Sequence, residues 1–199
     1  MKKYTPWLVV VGVILVVGLW LVGSYNRFVG LGEQVNTAWA DVQTDYQRRA
    51  DLIPNLVATV QGFAKQEKSL LVEVTEARAK ATALNIDPKT ITDPAKFAEF
   101  QAAQGQLSGS LGRLLVSVEA YPQLKSNENF LALQNQLEGT ENRIKVSRQR
   151  FNESAQAYNV LAKGIPGKWL VSWYKMDASK VMFSAAAGSE NAPKVDFAK

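Results

Sequence analysis

The chain has 199 residues, a formal net charge of +5 and neither cysteine nor histidine. These absences exclude disulfide bonds, thiol nucleophiles, thiolate or imidazole metal ligands and the common general base near neutral pH, so we expect no cofactor and no catalytic activity. A mildly basic chain without a binding motif is more often merely solvated than bound to nucleic acid, so we also expect no nucleic-acid partner.

The N-terminus predicts a membrane anchor. Residues 7–23 read WLVVVGVILVVGLWLVG without a charge, and with their flanks they approach the roughly 20 residues that cross a hydrocarbon core of about 30 Å. A cleaved signal peptide is the alternative, but the apolar stretch is longer than usual and no Ala-x-Ala site follows it. Aromatic residues that favour membrane interfaces stand at the two ends of the stretch: Tyr4, Trp7, Trp20 and Tyr25.

The basic residues around this stretch predict its orientation. Lys2 and Lys3 precede it, whereas Arg27 is followed by acidic residues. Because lysine and arginine are retained on the cytoplasmic side, we expect a cytoplasmic N-terminus and a domain outside the cytoplasm.

We divide the chain into a tip and anchor at 1–25, a helical domain at 26–187 and a disordered tail at 188–199.

Beyond the anchor, apolar residues recur with a 3.5-residue period, which is typical of a coiled-coil seam. The seam runs from Val35 to Ala81 and includes two charged positions, Arg49 and Glu67. Pro54 lies within it and favours a kink or, alternatively, a turn between two helices. Because the seam keeps its phase across Pro54, we predict one helix over 26–84 with a kink near Pro54.

Three further helices are predicted from capping and breaking residues. Asp93 caps a second helix that starts at Pro94, and Ser126 or Asn127 caps a third that stops near Gly164. A short fourth helix is predicted over 168–187. Its clustered aromatic residues either close the end of the core or contact a membrane interface or a partner: Trp169, Trp173 and Tyr174.

These elements predict an all-α fold in which the N-terminal transmembrane helix continues into an antiparallel up-and-down four-helix bundle. At 1.5 Å per residue, the first helix beyond the membrane is on the order of 90 Å long and exceeds its partners. We therefore predict that part of its seam is exposed and forms a homo-oligomer or partner surface, unless the fourth helix folds back over it. The residues of this stripe are Val35, Trp39, Val42 and Tyr46.

A set of charged residues predicts a polar network buried within the bundle: Arg49, Glu67, Glu119, Glu141 and Arg143. Buried charges need partners, and one such position can fix the register of packed helices. The alternative is a polar pocket for an anion or another small ligand. A di-iron site of the Glu-x-x-His type is excluded because the chain has no histidine, and we predict no metal site. The alternative is an oxygen-only magnesium or calcium site, although the sequence contains no calcium loop.

Residue strings along most of the domain resemble the LemA family. They are Tyr25-Asn26, Ala38-Trp39-Ala40, Gln47-Arg48-Arg49, Asp51-Leu52-Ile53-Pro54-Asn55-Leu56-Val57, Tyr121-Pro122-x-Leu124-Lys125, Asn129-Phe130 and Thr140-Glu141-Asn142-Arg143-Ile144. The resemblance implies a bacterial membrane protein with one N-terminal span and a four-helix bundle, and it implies no established catalytic activity.

The resulting hypothesis is a membrane-anchored interaction protein of the bacterial envelope, acting as a scaffold, an adaptor or a self-assembling component. Its partners are the lipid bilayer, an unknown envelope protein and a second copy of the chain. We expect it in the inner membrane with its domain in the periplasm. The alternative is a small-ligand sensor or carrier with a polar cavity in the bundle.

Overall fold

The computed structural model describes residues 5–64, 66–84 and 87–185, and within these ranges the fold is all-α with no strand. The six α-helices, with a short 3-10 turn at Thr90–Thr92 between the second and third, are α1 (Thr5–Phe63), α2 (Lys68–Ala83), α3 (Pro94–Val118), α4 (Pro122–Lys125), α5 (Glu128–Lys163) and α6 (Gly167–Tyr174). Tyr4, predicted at a membrane interface, and the predicted disordered tail lie outside the described residues.

Helix α1 joins the apolar N-terminus to the domain without a break over its 59 residues. All side chains from residue 7 to residue 20 are exposed, and among the described residues this helix is the one long and apolar enough to cross a membrane. Phe28, about one turn beyond Tyr25, is already fully buried. The core of the domain therefore begins directly at the end of the apolar segment.

The prediction of one helix over 26–84 is wrong, because α1 ends at Phe63 and α2 begins at Lys68 and folds back along α1. Pro54 does not end the helix. Since proline has no N–H, the carbonyl of Ala50 loses its helical partner. Arg78 in α2 replaces it, because its Nε donates to the Ala50 oxygen at 2.7 Å. A neighbouring helix thus satisfies the carbonyl that the proline leaves free.

The predicted second and third helices are confirmed as α3 and α5. The Asp93 carboxylate accepts hydrogen bonds from the backbone N–H groups of Ala95 and Lys96, at 2.9 and 3.3 Å. Asn127, one of the two predicted caps of α5, accepts from the N–H of Phe130 at 3.1 Å. Such caps satisfy donors that the first helical turn leaves unpaired, and they fix where each helix starts.

The fourth helix is shorter than predicted. α6 ends at Tyr174, and from Met176 to Ala185 the chain contains no helix. Two asparagines of α5 hold this C-terminal segment. Asn159 binds the N–H and C=O of Lys180 at 2.6 and 2.8 Å, and Asn152 binds those of Phe183 at 2.8 and 2.9 Å. The two asparagines are seven residues apart, which is about 10.5 Å along a helix, and Lys180 and Phe183 are three residues apart, which is about 10 Å along an extended chain. Because the two spacings match, each asparagine reaches the backbone of one residue in the segment.

Two hydrophobic clusters fill the domain. The distal cluster packs α1, α2, α3 and α5 around side chains such as Leu56 and Leu114. The proximal cluster lies nearer the apolar segment and is centred on Trp39. The centroids of four phenylalanine rings lie 5.2–6.2 Å from that of the Trp39 ring: Phe97, Phe100, Phe151 and Phe183. These rings come from α3, α5 and the C-terminal segment.

The predicted exposed stripe is buried within a single chain. Its four residues have relative exposures of 6 % or less: Val35, Trp39, Val42 and Tyr46. The expectation that they form an oligomer surface is therefore corrected. The C-terminal segment does fold back over this region, as the alternative supposed, but it does so without helical structure and contributes Phe183 to the cover.

Candidate functional site

Arg49 in α1 is the most deeply buried charged residue among those that the structure describes, at 1 % relative exposure. Its Nη1 donates to the Glu141 carboxylate at 2.9 Å and to the Ser108 hydroxyl at 2.8 Å. Its Nη2 donates to the side-chain oxygen of Gln104. Three helices thus meet at one guanidinium, because α3 supplies Gln104 and Ser108 and α5 supplies Glu141. Since Glu141 is 46 % exposed, the ion pair reaches from the core to solvent.

The guanidinium is paired but not saturated. Its carbon lies 4.9 Å from the centroid of the Tyr46 ring, which is a cation–π distance. Its Nε, although buried, has no hydrogen-bond partner in the part of the chain that the structure describes. A buried donor without a partner costs free energy, so the site retains capacity for one more acceptor.

An open cavity of about 360 Å³ adjoins Arg49 between α3 and α5. Its polar lining includes Tyr46, Arg49, Gln101, Gln104, Ser108, Glu141 and Arg148. The volume lies within the range of small-molecule sites, which is roughly 300–1,000 Å³. Arg148 is a second cation at the rim, and its guanidinium lies 4.4 Å from the centroid of the Phe183 ring. Two arginines and one glutamate give the lining a net positive charge.

Tyr46 connects the cavity with the proximal cluster. Burial raises the pKa of its phenol above the usual 10, and the Glu141 charge acts in the same direction, whereas Arg148 and Arg49 oppose it. The hydroxyl therefore stays protonated at neutral pH and presents a hydrogen-bond donor. Chemically, this arrangement can bind an anionic or hydrogen-bonding group. No cluster of acidic side chains suited to a metal ion occurs among the described residues.

Of the predicted buried network, the structure brings together Arg49 and Glu141 only. Glu67 lies in the turn before α2 and accepts a hydrogen bond from the Tyr121 hydroxyl at 3.0 Å, which raises the pKa of that phenol. Glu119, at the end of α3, and Arg143, on α5, are exposed and not buried. The single five-residue network is therefore corrected to an Arg49–Glu141 pair with other partners.

Sequence reasoning did not find the partners that α3 supplies. Gln104 and Ser108 are four residues apart, so they lie on one face of the helix. Gln104 interrupts the otherwise apolar run from Phe100 to Leu107 on the buried face of α3. A polar residue on an apolar face indicates a buried polar contact, and this signal was present in the sequence. The partner, Arg49, could not be identified without knowing how α3 is aligned against α1.

Three of the predicted anchor residues, Trp7, Trp20 and Tyr25, lie on or next to the apolar part of α1. Trp7 and Trp20 are exposed. Tyr25 is partly covered, because its ring centroid lies 4.9 Å from that of Tyr174 in α6. The C-terminal end of the apolar segment therefore contacts the folded domain.

Comparison with known proteins establishes the family. A profile of the LemA family matches residues 38–197. The chain belongs to the LemA family. The match includes α2, α3 and α5 and the part of α1 that contains Trp39 and Arg49. It also extends beyond Ile144, where the last of the residue strings that carry the resemblance ends.

Curated relatives of this LemA-family chain include magnetosome proteins. It is 27 % identical to magnetosome protein MamQ of Magnetospirillum gryphiswaldense over an alignment of 166 residues that covers 75 % of this chain and 61 % of the relative. It is 25 % identical to MamQ 2 of Paramagnetospirillum magneticum over 181 residues, covering 82 % and 66 %. It is 22 % identical to Protein LemA of Metamycoplasma hominis over 149 residues, covering 73 % and 64 %. The chain thus spans less than two thirds of the length of each of these relatives.

Proposed function

We propose that this LemA-family chain is a single-pass protein of the bacterial inner membrane that acts as a non-catalytic scaffold or adaptor. In this proposal α1, α2, α3 and α5 form an up-and-down bundle that holds another envelope protein beside the bilayer. The continuity of α1 carries the proposal, because Phe28 is buried in the core about one turn beyond Tyr25. A domain joined to its anchor without a flexible linker keeps a fixed height and tilt, which suits positioning a partner.

Site-specific photocrosslinking in cells tests the scaffold role. A photoreactive amino acid is placed, one position at a time, at exposed apolar residues on three helices: Val72, Val116 and Val146. We expect a discrete adduct from one face and none from the other two. An adduct of twice the chain mass of 21.9 kDa identifies a second copy, and another defined mass identifies a different protein. The absence of an adduct at all three faces would contradict the proposal.

Orientation has its own test, because the chain has no native cysteine. Val116→Cys places one exposed thiol on α3. The basic Lys2 and Lys3 favour a cytoplasmic N-terminus, so we expect a membrane-impermeant maleimide to label this thiol in intact spheroplasts. Labelling that occurs only after lysis would reverse the orientation.

A second candidate function is binding of a small anion in the cavity beside Arg49. The buried Nε without a partner and the second cation, Arg148, support it. A ligand at a hundred times its dissociation constant stabilises the folded state by about 2.7 kcal/mol. Thermal unfolding of the full chain in detergent is measured with phosphate, sulfate or citrate, against chloride at equal ionic strength.

Two arginine variants separate binding from general charge effects. Arg148→Gln removes a cation that lines the cavity, whereas Arg150→Gln removes an exposed cation of the same helix that does not line it. We expect the stabilisation by anions to be lost in the first variant and kept in the second. Equal stabilisation of both, or no stabilisation of the unaltered chain, would exclude this function.

A further inference from the structure

Helix α6 presents large apolar side chains to solvent. Trp173 is 81 % exposed and Trp169 is 60 % exposed. Together with Ile165 and Tyr174, which are also exposed, they form what we call the α6 patch. The opposite side of the helix is buried through Leu170. The aromatic residues therefore do not close the core, and exposed apolar patches of this kind usually mark a contact surface.

The backbone fixes α6 firmly against α5. A Cβ atom at Gly167 would lie 1.8 Å from the carbonyl oxygen of Leu161, so only glycine fits at this approach. At the other end, Lys175 adopts a left-handed conformation with φ 52° and terminates the helix. The α6 patch is thus held in place relative to α5 and the rest of the domain.

The position of the patch identifies its surroundings. The Tyr174 ring centroid lies 4.9 Å from that of Tyr25, where the apolar segment of α1 ends. Trp20 precedes Tyr25 by five residues, so it lies about 7.5 Å deeper in the apolar segment along the helix axis. The interfacial layer on each side of a bilayer is about 5–7 Å thick, so a layer that begins near Trp20 ends near Tyr25. If α1 spans the membrane, Tyr25 lies at the level of the lipid headgroups, and so does α6.

The composition around the patch fits the same environment. Tryptophan and tyrosine favour the membrane–water interface because one end of the ring system is apolar and the other is polar. Between Ala155 and Met176 the sequence has no acidic residue and three lysines, Lys163, Lys168 and Lys175. All three lysines are exposed. Basic residues next to an apolar patch favour anionic lipid headgroups.

We propose that α6 is a second membrane contact, in which Trp169 and Trp173 insert into the interfacial layer and the lysines bind anionic headgroups. The partner is the bilayer itself, because lipid surrounds α1 at the level of Tyr25. This inference rests on the proposal that α1 spans the membrane. It adds that the domain lies against the membrane surface and does not stand free above it.

Spin labels on single cysteines of the full chain test the contact, with the protein in nanodiscs of three parts phosphatidylcholine to one part phosphatidylglycerol. Power saturation compares the accessibility of each label to oxygen, which concentrates in lipid, and to a water-soluble nickel complex. The variants are Trp173→Cys in the patch, Val116→Cys on α3 as a water-exposed control and Leu19→Cys in the apolar segment. We expect the Trp173 label to be at least threefold less accessible to nickel than the Val116 label.

The outcomes distinguish the inference from the spanning proposal. A Leu19 label that is as accessible to nickel as the Val116 label would overturn the span, and the α6 contact with it. A lipid-protected Leu19 label together with a nickel-accessible Trp173 label would overturn the α6 contact alone. A Trp173 label that is exposed in nanodiscs but shielded in native membranes would also overturn it, because the patch would then bind a protein.

Two variants at Trp169 test whether insertion of α6 into the membrane is what shields the label at position 173. In the Trp173→Cys background, Trp169→Ser removes an inserted aromatic ring and Trp169→Phe keeps an apolar ring. We expect the serine variant to raise nickel accessibility at position 173 about twofold and the phenylalanine variant to leave it near its original value. Equal accessibility in both variants would mean that Trp169 does not hold α6 in the membrane.

Discussion

At the scale of single residues, Arg49 shows how a charge is accommodated in an apolar domain. Removing a guanidinium from water costs several kcal/mol, and partners offset this cost only where their geometry is good. Here Glu141, Ser108 and Gln104 supply acceptors and Tyr46 supplies an aromatic face. The residue therefore joins three helices, and its Nε is the one guanidinium nitrogen without a hydrogen-bond partner among the described residues.

Replacing Glu141 tests the ion pair. We expect Glu141→Gln to lower the free energy of unfolding by about 1–2 kcal/mol, because Arg49 loses its counter-charge while Glu141 itself is only half buried. Glu119→Gln is the matched control, since Glu119 is exposed at the end of α3, and it should change stability by less than about 0.5 kcal/mol. Denaturant unfolding of the full chain in detergent measures both. Equal effects would show that the Arg49–Glu141 pair contributes nothing.

The environment of Tyr158 predicts how the free energy of unfolding changes with pH in the alkaline range. Its hydroxyl donates to the carbonyl of Asp177 at 2.8 Å, and the Lys180 ammonium lies 5.3 Å from its ring centroid. Burial, and then the charge of Asp177, raises the pKa of the phenol to about 12. An acid whose pKa is raised by folding contributes stability that is fully present below pH 10 and is lost as the pH rises through 12.

Tyr158→Phe should therefore cost about 1 kcal/mol at pH 7, for the lost hydrogen bond. The difference between the two proteins should shrink above pH 10, because phenylalanine does not ionise. Tyr46 and Tyr121 also have raised pKa values, but both proteins contain them, so the difference isolates Tyr158. Denaturant unfolding from pH 7 to pH 11.5 measures it, and a constant difference would disprove the assignment.

At the scale of elements, the helix through Pro54 depends on its neighbour. Arg78 donates to the Ala50 carbonyl that the proline leaves without a partner. We expect Arg78→Met to destabilise the chain by about 1–2 kcal/mol, since a part-buried carbonyl loses its hydrogen bond. In a Pro54→Ala background the same substitution should cost less than about 0.5 kcal/mol, because the new N–H of residue 54 binds that carbonyl. Four unfolding curves complete this double-mutant cycle, and additive effects would contradict it.

Local signals predicted α3 and α5 and their caps because Asp93 and Asn127 act within a few residues of their own position. The break between Phe63 and Lys68 was missed because residues 64–67 include neither glycine nor proline. Beside the break the buried positions are Ala64 and Leu71, each one residue after the predicted seam positions Phe63 and Leu70, although α1 and α2 both pack into the distal cluster. Nothing near Lys180 predicts that it binds Asn159, because that contact depends on tertiary structure. For the same reason the sequence identified Arg49 and Glu141 but not Gln104.

At the scale of the whole molecule, one chain buries the surface that the sequence predicted for assembly. Trp39 is surrounded by four phenylalanines from three parts of the fold. We expect Trp39→Ala to lower the free energy of unfolding by about 3–5 kcal/mol, because it removes the centre of the proximal cluster. Phe63→Ala, at a half-exposed aromatic residue, should cost about 1 kcal/mol or less.

Unfolding of both variants in detergent is measured together with the mass of the folded protein. A Trp39→Ala chain that keeps its stability and changes only its mass would restore the interpretation of Trp39 as an oligomer contact.

The unbroken path of α1 into the domain has a consequence for insertions near Ser24. Each added residue turns the domain by about 100° around the axis of the anchor and lifts it by about 1.5 Å. A bilayer has no preferred direction within its plane, so the proposed lipid contact of α6 should depend on the lift alone and weaken steadily with each insertion. A partner that is itself fixed in the membrane has a direction. Its binding should be lost after two inserted residues and return after four, when the domain has completed about one full turn.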